Sequence, residues 1–116
     1  MNTAAINPSV WHSVCRLDDL VPGSGVAVRL PAGAAAIFWL PASEPALYAI
    51  SHRDPRTGAE VLAHGLLCEH DGEWLVASPL YKERFRLRDG SCRDNPALQL
   101  KVWPIRLMGE DVQVQL

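Results

Sequence analysis

Apolar and polar residues alternate in short bursts along this chain, and turn-forming residues separate the bursts. Val26, Val28 and Leu30 alternate with Ala27 and Arg29, the period-two signature of a strand with one buried face. Val112, Val114 and Leu116 repeat that pattern at the end of the sequence. Ala34 to Leu40 follows Pro31-Ala32-Gly33 and is apolar throughout, as expected of a strand buried on both faces. Further strands are predicted over Val10 to Cys15, Leu47 to Ile50, Leu66 to His70, Glu73 to Ala77 and around Phe85 and Leu87. Leu98 to Leu107 reads as extended, with Pro104 at an edge or bulge because proline donates nothing to a ladder. Leu17 and Leu20 stand three apart, giving one helical turn before Pro22-Gly23. Asp71-Gly72 suits a tight hairpin turn, since both residue types tolerate positive φ. Asp89-Gly90 and Met108 to Asp111 mark two more reversals. Roughly nine or ten short strands predict an all-β sandwich or small barrel.

Composition narrows the reading. The 116 residues make one domain, over 10–116, with residues 1–9 as a frayed tail of little apolar content. Hydrophobic residues at 48% and charged residues at 21% are ordinary globular usage and exclude a disordered chain. A net charge of -2 argues against nucleic acid or anionic lipid as partner. The longest apolar run is Ala32 to Leu40, far short of the roughly twenty residues that cross a bilayer as a helix. No basic stretch followed by an apolar run opens the sequence, so no secretory signal is expected. Three irregularly spaced cysteines (Cys15, Cys68, Cys92) are not a disulfide framework, and the expectation is a reduced, cytoplasmic protein.

Candidate chemistry is sparse. There is no nucleophile elbow and no glycine-rich phosphate loop, so the chain acting alone is not expected to be a hydrolase or kinase. His64, Cys68 and His70 would share a face of one continuous strand. Alternate side chains there stand about 7 Å apart, and no Cys-x-x-Cys nearby completes a zinc set. A hairpin with one thiol and two surface imidazoles is the simpler reading. Lys82, Arg84, Arg86 and Arg88 would also share a strand face, opposite Phe85 and Leu87. They read either as a solvated face or as a basic strip that docks on an acidic partner. Reversing Arg84 and Arg86 is expected to leave the isolated fold intact, because exposed charges contribute little to stability. The four tryptophans (Trp11, Trp39, Trp74, Trp103) read as core and rim aromatics.

Two loop segments carry a more specific signal. Arg53-Asp54-Pro55-Arg56-Thr57-Gly58-Ala59 and Ser78-Pro79-Leu80-Tyr81-Lys82-Glu83-Arg84-Phe85 resemble the two loops of a Rieske domain. That fold grips a two-iron cluster with two cysteines and two histidines. In this register the cysteine positions hold Asp54 and Ser78, and the histidine positions hold Arg56 and Tyr81. All four ligands are replaced. Val61-Leu62-Ala63-His64-Gly65, Ala77-Ser78-Pro79-Leu80-Tyr81-Lys82 and Gly90-Ser91-Cys92 extend the match, as do Trp11 to Cys15 and Pro22 to Ala27. Together they resemble the small subunit of the assimilatory NAD(P)H nitrite reductase, from Trp11 onward. The chain departs from that pattern at Arg56-Thr57 and Ala63-His64.

The resemblance implies a Rieske-like antiparallel β fold with a small ligand-loop subdomain that holds no cofactor of its own. It implies a cytoplasmic complex that reduces nitrite to ammonium in nitrogen assimilation. The large subunit would carry FAD, sirohaem and a 4Fe-4S cluster and bind NAD(P)H, and this chain would be a non-catalytic subunit docked on it. Asp54, Arg56, Ser78 and Tyr81 would then hold the emptied loops together, with Asp54 and Arg56 as an ion pair. A free-standing adaptor with another partner remains an alternative, and an electron-carrying Rieske ferredoxin a more distant one. Neither nucleic acid nor membrane is an expected partner.

Overall fold

The structure, a computed structural model, describes residues 10–116. The expected tail over residues 1–9 lies outside the described residues. Ten strands follow one another: β1 (Trp11–Arg16), β2 (Gly25–Leu30), β3 (Gly33–Trp39), β4 (Leu47–Ser51), β5 (Leu66–His70), β6 (Glu73–Ala77), β7 (Arg84–Arg86), β8 (Val102–Trp103), β9 (Ile105–Met108) and β10 (Asp111–Gln115). Their ladders are antiparallel. The predicted helical turn is a single 3-10 turn over Leu17–Asp19, and a second occupies Leu62–His64.

The strands form three sheets, in the orders β1-β10-β9, β2-β3-β4-β8 and β5-β6-β7. The four-stranded sheet lies between two separate cores. Ala35 and Ile37 of β3 pack with Val28, Ala49, Val112 and Val114, toward the β1-β10-β9 sheet. Ala36 and Phe38 point the other way and pack with Ile50, Leu62, Val76 and Phe85, toward the β5-β6-β7 sheet. Side chains alternate across a strand, so a strand between two cores must be apolar at every position. That is why Ala34 to Leu40 lacks a polar alternation.

Turn chemistry sets the register. Asp71 (φ +53) and Gly72 (φ +77) give the left-handed pair of a two-residue hairpin, and His70 pairs with Glu73 across it. Pro104 stands where the chain leaves one sheet for another: β8 pairs with β4, and β9 with β10. A residue without an N–H interrupts no ladder at such a crossing.

The sequence expectation fails for the basic run. β7 spans Arg84–Arg86 only. Lys82 lies in the preceding turn with φ +66, and Arg88 lies in the turn beyond the strand. Phe85 and Leu87 are buried, as predicted. His64 belongs to a 3-10 turn ahead of β5, outside the strand that carries Cys68 and His70, so the three share no strand face and the simpler reading of a hairpin with one thiol stands. All four tryptophans are half-buried.

Candidate functional site

The two loops that the sequence singles out are built alike. The first leaves the end of β4, and the second joins β6 to β7. The Asp54 N–H donates to the carbonyl of Ala59 (2.7 Å), as the Ser78 N–H does to that of Glu83 (2.8 Å). The Gly58 N–H donates to the Asp54 carbonyl (2.7 Å), as the Lys82 N–H does to that of Ser78 (2.9 Å). The side-chain oxygen that opens each loop accepts from the N–H two residues on. Arg56 N–H to Asp54 Oδ1 is 2.8 Å and Leu80 N–H to Ser78 Oγ is 3.3 Å. Aspartate and serine are both suited to this local bond. In each loop the fifth residue is left-handed, Gly58 at φ +81 and Lys82 at φ +66.

Side chains then tie the twin loops to each other. Asp54 and Ser78 both have no exposed surface, and the Ser78 hydroxyl donates to Asp54 Oδ2 at 2.5 Å. Farther out, the Arg56 guanidinium stacks over the Tyr81 ring, 4.5 Å from its centroid. The same guanidinium reaches Glu83 Oε2 at 3.0 Å. Residues at the two cysteine positions therefore touch each other, and so do those at the two histidine positions. The expected ion pair between Asp54 and Arg56 does not form. The Asp54 carboxyl turns inward to the Arg56 backbone N–H, while the Arg56 side chain extends outward to the second loop.

Two supporting residues were not visible in the sequence. His52, buried at the start of the first loop, accepts the Ala63 N–H at Nδ1 (3.1 Å). Its carbonyl accepts from Val61 and Leu62. Burial pushes its imidazole below the ordinary value, with the nearby Glu60 carboxylate working the other way. Glu83 gives one oxygen to Arg56, and its other oxygen, Oε1, is buried without a hydrogen-bond partner. A single histidine or glutamate in a loop carries no spacing that distinguishes it from a surface residue.

This donor set does not fit an iron–sulfur cluster. Cluster irons take thiolate and imidazole. Arg56 has no lone pair to offer, and the oxygens of Asp54 and Ser78 are engaged with each other. Among the described residues no group of three His, Cys, Asp or Glu side chains converges on a metal position.

The basic run is largely neutralised from within the chain. Arg84 grips Asp94 with two bonds, Nε to Oδ2 at 3.0 Å and Nη2 to Oδ1 at 2.6 Å. The guanidinium holds the Asp94 carboxyl down at about 2. Arg86 and Arg88 both reach Glu73, at 3.2 Å and 3.1 Å. Lys82 has no carboxylate partner among the described residues. Leu80 and Tyr81 beside it are exposed.

Comparison with known proteins places these loops in context. A family model described as a Rieske-like [2Fe-2S] domain matches residues 10–115. The nitrite reductase (NADH) small subunit of Salmonella typhimurium is 40% identical over 107 residues, covering 92% of this chain and 98% of that one. The NMR structure of the Escherichia coli protein NirD matches with a TM-score of 0.80 at 40% identity, over 90% of this chain and 94% of that one. A third relative differs in size. The nitrite reductase [NAD(P)H] large subunit of Klebsiella oxytoca is 36% identical over 104 residues, which are 90% of this chain but only 11% of that protein.

Proposed function

Since the chain belongs to the Rieske-like family and, within it, to the nitrite reductase (NADH) small subunits, we propose that it is a non-catalytic subunit of a cytoplasmic NAD(P)H-dependent nitrite reductase. It docks on a large subunit that carries the flavin, the sirohaem and the four-iron cluster and reduces nitrite to ammonium. The observation that supports this reading most strongly is the closed pair of loops. Asp54 with Ser78, and Arg56 with Tyr81, occupy positions where a redox member of the fold would hold its cluster. Reducing nitrite needs stored electrons and a metal centre, and this donor set suits neither. Docking is supported by the Klebsiella oxytoca large subunit, which contains a stretch similar to this chain within its own sequence. A module found fused to a protein in one organism is a natural partner of that protein's counterpart in another.

The first test is association. The chain and the large subunit from the same organism are mixed and run by size exclusion with light scattering. A complex of fixed stoichiometry at micromolar concentration is the expected result. Failure to associate would leave the adaptor reading, with a different partner.

A further inference from the structure

A groove of about 940 Å³ runs between the β5–β6 hairpin and the outer edge of β4 and β8. None of the loop residues described above lines it. Its walls include Pro45, Tyr48, Trp74 and Trp103, rigid surfaces that lose little freedom on binding. The Trp74 indole is fixed by its Nε1–H, which donates to Ser43 Oγ at 2.9 Å. Trp103 also lines a smaller cavity together with Lys101, whose Nζ sits 5.4 Å from the Trp103 ring centroid.

Charge says what such an occupant must be. Glu44, Glu69 and Asp71 line the groove, are exposed, and have no lysine or arginine partner among the described residues. Glu73, the fourth carboxylate of the lining, is shared by Arg86 and Arg88, and Arg88 is itself the one lysine or arginine of the lining. Burial raises the Tyr48 phenol above its usual range, and the nearby Glu44 carboxylate adds to it.

We infer that this groove receives a segment of the large subunit that carries lysine or arginine, its cations among Glu44, Glu69 and Asp71. The inference rests on the docking proposed above and gives it a surface. An open groove of this size with aromatic and proline walls favours a polypeptide over a small ligand, and four lining carboxylates against one lining arginine select a basic one.

The test compares the wild-type chain, the Glu44→Lys/Glu69→Lys variant and a Glu110→Lys control for binding to the large subunit with its cofactors. Melting curves confirm the fold; all three side chains are exposed. The groove variant is expected to bind at least tenfold more weakly at low salt, with a smaller loss at 0.5 M salt, while the control binds as wild type. A photo-crosslinker at position 69 is expected to mark one basic peptide of the large subunit. Equal binding by the groove variant, or crosslinks to a site without lysine or arginine, would overturn the groove and leave the docking proposal standing. No binding by the wild-type chain would overturn both.

Discussion

A serine hydroxyl with no solvent around it, such as that of Ser78, needs its hydrogen bond in the folded state. Ser78→Ala strands an oxygen of Asp54, so a loss of about 1–3 kcal/mol is expected. Asp54→Ala removes the acceptor for both the Ser78 hydroxyl and the Arg56 N–H, and its cost should be larger. The double variant should lose less than the sum, by about 0.5–3 kcal/mol, because each single change spoils the same bond. Denaturant titration of the four proteins checks this, and additive losses would mean that the two loops are not coupled here. The sequence marked these positions through their place in the two loops. It could not say that they meet, because position 54 lies 24 residues from position 78. The direction of Arg56 was likewise hidden: its short-range partner Asp54 was nearer in sequence, yet Glu83, 27 residues away, takes the guanidinium.

Among the elements, the strands were legible wherever a turn residue punctuated them. Asp71-Gly72, Pro104 and the turn at Gly109 all stand where the pattern places a reversal or crossing. The alternate spacing of the basic run reads as one strand, yet Lys82 and Arg88 fall outside β7, and charge spacing says nothing about carboxylates arriving from β6 and from the loop at Asp94. This changes a stability expectation. Arg84→Glu and Arg86→Glu place carboxylates against Asp94 and Glu73, so the isolated fold should lose stability and these variants are poor probes of docking. Lys82 is the better probe. Its left-handed φ of +66 costs a non-glycine residue about 1 kcal/mol, so Lys82→Gly should melt at the same temperature or higher. If Lys82 takes part in docking, that variant should also bind the large subunit more weakly at low salt.

The first loop also has its own pH dependence. Burial lowers the folded His52 imidazole below its usual 6.5, so the unfolded chain takes up the proton more readily. Stability from this group is full above about pH 6.5 and is lost as pH falls through that value toward the folded one. The His52→Asn variant keeps an acceptor for the Ala63 N–H without the titration. Its melting temperature should fall less than that of wild type between pH 7.5 and 5.5. Parallel curves would assign the pH dependence to other groups.

For the molecule as a whole, the three layers explain why a chain with loops unsuited to a cluster still keeps the Rieske-like frame. Two cores flank the central sheet, and neither requires a cofactor. The loops are held by their own polar contacts instead. What such a frame offers is surface: the tip around Leu80, Tyr81 and Lys82, and the acidic groove beside β4. The proposed role requires that this chain act by binding and not by carrying electrons. The most direct measurement is NADH-dependent nitrite reduction by the large subunit, titrated with this chain, with iron determined on the chain itself. Activity should rise with added chain and saturate at the stoichiometry of the complex, with no iron in the chain and no activity from it alone. Full activity of the large subunit without the chain, or about two irons per chain with Rieske-like absorption, would contradict it.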